Sequence, residues 1–87
     1  MTMNFPNRSR SYDAARHVVR FWGHDRSMES SFFVSEDALL RIQPNLQPDE
    51  AGLLRAFDRN RELIQAAAAR AYGRGRKGSY ELNASDF

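Results

Sequence analysis

Residues 48–73 read PDEAGLLRAFDRNRELIQAAAARAYG, and their periodicity decides the fold. At about 100° per residue, Leu53, Leu54, Phe57, Ile64, Ala68 and Ala71 fall in one arc roughly 100° wide. Arg55, Arg59, Ala66 and Arg70 face the other way. The spacing predicts one long amphipathic helix over 48–72. Pro48 suits its first position, Asp49 and Glu50 suit the positive end of its dipole, and Gly73 suits its stop.

Upstream, a shorter helix is expected to end near Gln43, because Pro44 excludes helical backbone before it. Its apolar side is Ala38, Leu39, Leu40 and Ile42. Ser35 is its N-cap, followed by Glu36 and Asp37 in the first turn. Before Ser35 the period changes from helical to two. His17-Val18-Val19-Arg20-Phe21-Trp22 is β-branched and aromatic, as a strand should be. Residues 23–27 turn the chain, and Met28 to Val34 form the partner strand. Alternation puts Val19 and Phe21 on one face and Val18, Arg20 and Trp22 on the other. Phe32 and Val34 share a face, and Phe33 points the opposite way.

Arg10 to Tyr12 form a short first strand, closed by a turn at 13–16 in which Asp13 bonds nearby backbone. Residues 1–9 are an extended lead-in containing Pro6. Downstream, Gly73 to Gly78 is a loop, and Ser79 to Asn83 a last strand with Tyr80 and Leu82 on one face. The expectation is an α+β fold in two layers. A small antiparallel or mixed sheet, made of N-terminal strands plus a C-terminal strand, carries one short and one long helix on one face.

Composition bounds the function classes. The 87 residues make a single domain. Leu, Ile, Val and Phe supply about a fifth of them, enough for a small core. The chain has no cysteine, which excludes disulfides, thiolate zinc sites and thiol nucleophiles. The longest apolar run, Ala66 to Ala69, is too short to span a membrane. The N-terminus lacks the apolar stretch of a secretory signal, so a cytoplasmic location is expected.

The net charge of +2 hides alternating blocks. Residues 1–26 and 51–77 are basic, while 27–50 and 78–87 are acidic. Arg74, Arg76 and Lys77, set among glycines in GRGRKG, are candidate contacts for nucleic acid or another polyanion. The spacing is not that of a P-loop. Arg61 lies within the apolar arc. It either clamps a carboxylate of Glu36, Asp37, Asp13 or Asp86, or presents its fork to an anion. Val18, Arg20, Trp22 and Phe33 form a candidate interaction face, provided the helices cover the opposite side. His17 and His24 have no metal-ligand spacing, and no serine or carboxylate pair has catalytic spacing. Catalytic residues, metals, cofactors and a small-molecule substrate are therefore not expected.

An ordered set of residues resembles a known family. It comprises Phe5-Pro6-Asn7, Tyr12-Asp13, Val19 with Phe21, and Val34-Ser35 with Ala38-Leu39. It continues with Leu54-xx-Phe57-xx-Asn60-Arg61-xx-Ile64, Tyr80-x-Leu82 and the closing Asp86-Phe87. Together these resemble short bacterial proteins catalogued as domain of unknown function 1488. The resemblance covers nearly the whole chain and implies a compact α+β domain with a hairpin-rich N-terminal half. Some members carry the label of transcriptional regulator, but the family supplies no catalytic or binding residues. The basic GRGRKG loop departs from the family pattern. The expected function is a non-catalytic protein-interaction module, binding a protein partner or a second copy through the open sheet face. The alternative is nucleic-acid binding through residues 74–77.

Overall fold

The computed structural model describes residues 3–75 and 77–87. Its elements run β1 (Arg10–Asp13), β2 (Val18–Asp25), β3 (Met28–Ser35), α1 (Glu36–Ile42), α2 (Glu50–Arg59), α3 (Arg61–Gly73) and β4 (Ser79–Leu82). A short 3-10 turn, Ala84–Asp86, follows. The strands lie in sequence order across one open sheet. β1–β2 and β2–β3 are antiparallel. β4 pairs with β3 in parallel, because the three helices return the chain across one face before it re-enters the sheet. The fold is the expected two-layer α+β arrangement, with a mixed sheet.

Register explains the core. Arg10, Phe21, Phe32 and Tyr80 align across the four strands, and so do Tyr12, Val19, Val34 and Leu82. Both rows face the helices. Phe21, Phe32 and Tyr80 form a ladder of rings with centroids 5.4 and 5.0 Å apart. Phe57 of α2 lands on Phe21 at 5.1 Å. Phe57, Leu53 and Ile64 are fully buried, as the apolar arc requires. The lead-in joins this core: Phe5 lies 6.2 and 6.0 Å from the rings of Phe21 and Phe32. Asn4 exchanges backbone hydrogen bonds with His24 at 2.8 and 2.7 Å, extending the sheet edge beside β2.

Local chemistry matches the sequence at several points. Ser35 Oγ accepts from Ala38 N–H at 3.1 Å, which caps α1. Asp13 Oδ1 accepts from Ala15 and Arg16 N–H, which closes the first turn. Elsewhere the structure corrects the expectation. The helix expected over 48–72 is two helices broken at Asn60. Asn60 Nδ2 donates to Ala56 O at 2.8 Å and to Gln43 Oε1 at 3.0 Å, so its side chain turns back onto α2 and α1. The first of the two starts at Glu50, with Asp49 rather than Pro48 at its entry; Asp49 Oδ1 accepts from Gly52 N–H at 2.7 Å. The hairpin turn also narrows to Arg26-Ser27, with Arg26 in the left-handed region at φ 59°. That compact turn lets β2 run on through Gly23 and His24 to Asp25. The last strand stops at Leu82, because Asn83 and Asp86 form a capping box at the 3-10 turn.

Candidate functional site

The sheet face turned away from the helices is built by alternation. The row Ser11, Arg20, Phe33 and Glu81 crosses all four strands on this side, and Trp22, Ser31 and Ser79 form the next row. All four residues expected on the interaction face are there. Trp22 and Phe33 are half-buried and Arg20 is exposed. Val18 is only 8% exposed and contributes little surface. It lies at the end of β2, beside the His17 carbonyl that accepts from Glu36 N–H at 3.0 Å.

Arginines lie over the aromatic rings of this face. The Arg20 guanidinium carbon is 5.1 Å from the Trp22 ring centre and 5.7 Å from that of Phe33. Its Nη2 donates to Ser31 Oγ at 3.0 Å. Arg16 covers Phe33 more closely, at 4.4 Å, and reaches Glu81 at 3.6 Å. A guanidinium over a ring shields part of its apolar area and keeps a charged edge toward water. Arg16 was missed from the sequence because it sits in a turn, where no strand alternation assigns a face.

The basic loop lies between α3 and the β4 edge. Arg74 Nη2 contacts Asp86 Oδ1 at 3.2 Å. Lys77 N–H donates to Tyr80 Oη at 2.9 Å, and Tyr80 is a core-face residue. Arg76 lies outside the described residues. Arg74 is thus already paired, and with Lys77 it borders a hollow at the β4 edge that is also lined by Ser79, Tyr80 and Glu81.

Arg61 is separate from both groups. It is buried, 9% exposed, at the start of α3. Its partner is none of the four carboxylates expected for it. Nη2 donates to Asp58 Oδ1 at 2.7 Å, and the guanidinium carbon lies 4.8 Å from the Phe57 ring centre. The helix break brings Asp58 to it, and the three-residue spacing of Asp58 and Arg61 was the available sequence signal. Asp58 also accepts from Arg10 Nε at 3.1 Å and Nη2 at 2.9 Å. Burial raises the Asp58 pKa, but hydrogen bonds and charge from Arg10 and Arg61 outweigh it and hold the carboxyl below its usual range.

The histidines meet carboxylates singly: His17 with Glu36 at 3.5 Å, and His24 with Glu29 at 3.3 Å. Among the described residues no group of three His, Asp or Glu side chains is placed to hold a metal ion, and no described helix is long and apolar enough to cross a membrane. Comparison with known families matches residues 3–82 to the model described as protein of unknown function (DUF1488). No curated protein and no solved structure matched the chain.

Proposed function

The chain belongs to the DUF1488 family of proteins of unknown function, and we propose that it is a non-catalytic interaction module that pairs with a second copy of itself. The helix-free sheet face is the pairing surface. The observation that supports this reading is the row Arg20, Phe33 and Glu81, with Trp22 beside it. An aromatic centre is flanked by a cation toward β1 and a carboxylate at the β4 edge. Such a row is complementary to itself. A two-fold axis near Phe33 would set Arg20 of each copy toward Glu81 of the other, over an apolar middle. Within one copy Arg16 already reaches Glu81 at 3.6 Å, so Arg20 of the second copy would share that carboxylate with it.

The test is light scattering on the full chain beside Trp22→Ser and Glu81→Arg. A dimer at high concentration in the parent, lost in both variants while the cooperative melt persists, supports the reading. A monomer at every concentration overturns it. The same face can also stack bases, since aromatic rings beside arginines suit single-stranded nucleic acid. Salt-dependent binding of an oligonucleotide that disappears in Trp22→Ser would transfer the face to that role.

A further inference from the structure

The geometry points to a binding site for a phosphate group at the junction of α2 and α3. A solvent-open hollow of about 560 Å³ lies there, with Arg8, Arg59, Arg61 and the start of α3 in its wall. Arg10 adjoins it through Asp58, which it shares with Arg61. Four guanidinium groups thus meet two carboxylates, Asp58 and Glu62, which leaves the region with surplus positive charge. Arg61 is the buried member. Among the described residues it makes a single hydrogen bond, through Nη2, and its buried Nε has no partner. Asp58 already pairs this guanidinium, and the one buried donor left over, Nε, carries a desolvation cost that a further acceptor would relieve.

The second observation comes from the backbone. α3 is 13 residues long and has no side-chain cap. Asn60 occupies the capping position, but its side chain is turned toward Gln43 and Ala56. The first bond of the helical ladder is Ile64 N–H to Asn60 O, at 2.9 Å. The N–H groups of Arg61, Glu62 and Leu63 come before that ladder begins, and these residues line the hollow. The first residues of a helix and the arginines Arg8, Arg59 and Arg61 thus border one open space, alongside the carboxylates Asp58 and Glu62. A tetrahedral oxyanion with several acceptor oxygens fits that donor set. The ligand class is a phosphate group, either free or as the monoester of a small molecule.

The experiment is a titration of the full chain followed by backbone amide chemical shifts, at constant ionic strength balanced with chloride. Inorganic phosphate and glycerol phosphate are the two probes. Saturable shifts at the Arg61, Glu62 and Leu63 amides support the site, and the tighter probe identifies the source of the phosphate. The double variant Arg8→Ala/Arg59→Ala changes exposed side chains only and should weaken binding by roughly tenfold or more. Arg74→Ala/Lys77→Ala should bind like the parent. Shifts that chloride alone reproduces, or equal binding by the Arg8/Arg59 variant, would overturn the proposal. The site is remote from the sheet face, so its failure leaves the pairing surface untouched.

Discussion

Arg61 and Asp58 face each other across the break between two helices, joined by a 2.7 Å hydrogen bond. The contact turns a buried cation inside an apolar arc into a paired one. Arg10 approaches the same carboxylate from β1 and so ties the sheet edge to the helix layer. Removing the carboxylate leaves Arg61 buried and without its partner. Asp58→Ala should therefore cost about 1–3 kcal/mol, measured by urea denaturation.

The same carboxylate sets a pH dependence. Its pKa in the folded chain lies below the ordinary value. Its stabilising contribution is present above the unfolded-state pKa, about 3.9, and is lost as pH falls through the folded value. The Asp58 side chain is 41% exposed, so solvent screening keeps this contribution small, on the order of 1 kcal/mol or less. Urea midpoints of the parent and Asp58→Asn should differ near neutral pH and draw together on acidification below about pH 4. A gap that widens on acidification would contradict the assignment.

Phe57 is fully buried, touching Phe21 on one side and Arg61 on the other. Phe57→Ala should cost about 3–5 kcal/mol, enough to unfold much of a small domain. A melt shifted by less than a few degrees would place the core elsewhere.

Gly52 inverts the usual helix rule. In an exposed helix interior, Gly→Ala stabilises by up to about 1 kcal/mol. Here a Cβ would lie 1.9 Å from the Gln47 carbonyl oxygen and 2.7 Å from its carbonyl carbon, both backbone atoms. Gly52→Ala should destabilise by about 1–3 kcal/mol. Thermal denaturation gives the sign directly.

Gly23 leaves room for the lead-in. A Cβ there would lie 2.6 Å from Met3 Sδ and 2.9 Å from the Phe5 ring. Gly23→Ala should push the lead-in off the sheet while the hairpin persists. Hydrogen exchange at the Asn4 and His24 amides, paired in the parent at 2.8 and 2.7 Å, should accelerate well beyond that at Phe21. Unchanged protection at Asn4 would show that the lead-in adapts.

The secondary structure was legible wherever the determining physics is local. Ser35 caps the helix that follows it, Asp13 closes its own turn, and β2 alternates in burial, because each depends on a few neighbouring residues. The break at Asn60 was illegible because the apolar arc runs through it. Asn60 turns back toward Gln43, seventeen residues away, and that contact exists only once α1 and α2 pack. Arg61 is buried, as its place in the apolar arc implies, yet its partner was sought at long range rather than three residues upstream.

By itself the sequence determined which residues are apolar at which period, and hence the layers, the core-facing side chains and the composition of the open sheet face. Hydrophobic burial enforces those choices in any compact arrangement of the chain. Only the tertiary structure decided which charges meet. It paired Arg74 with Asp86, set Arg16 over Phe33, and gathered Arg8, Arg10, Arg59 and Arg61 around the α2–α3 junction. Ion pairs and ring contacts of this kind are short-ranged and individually weak, so they follow the packing of the backbone and do not direct it.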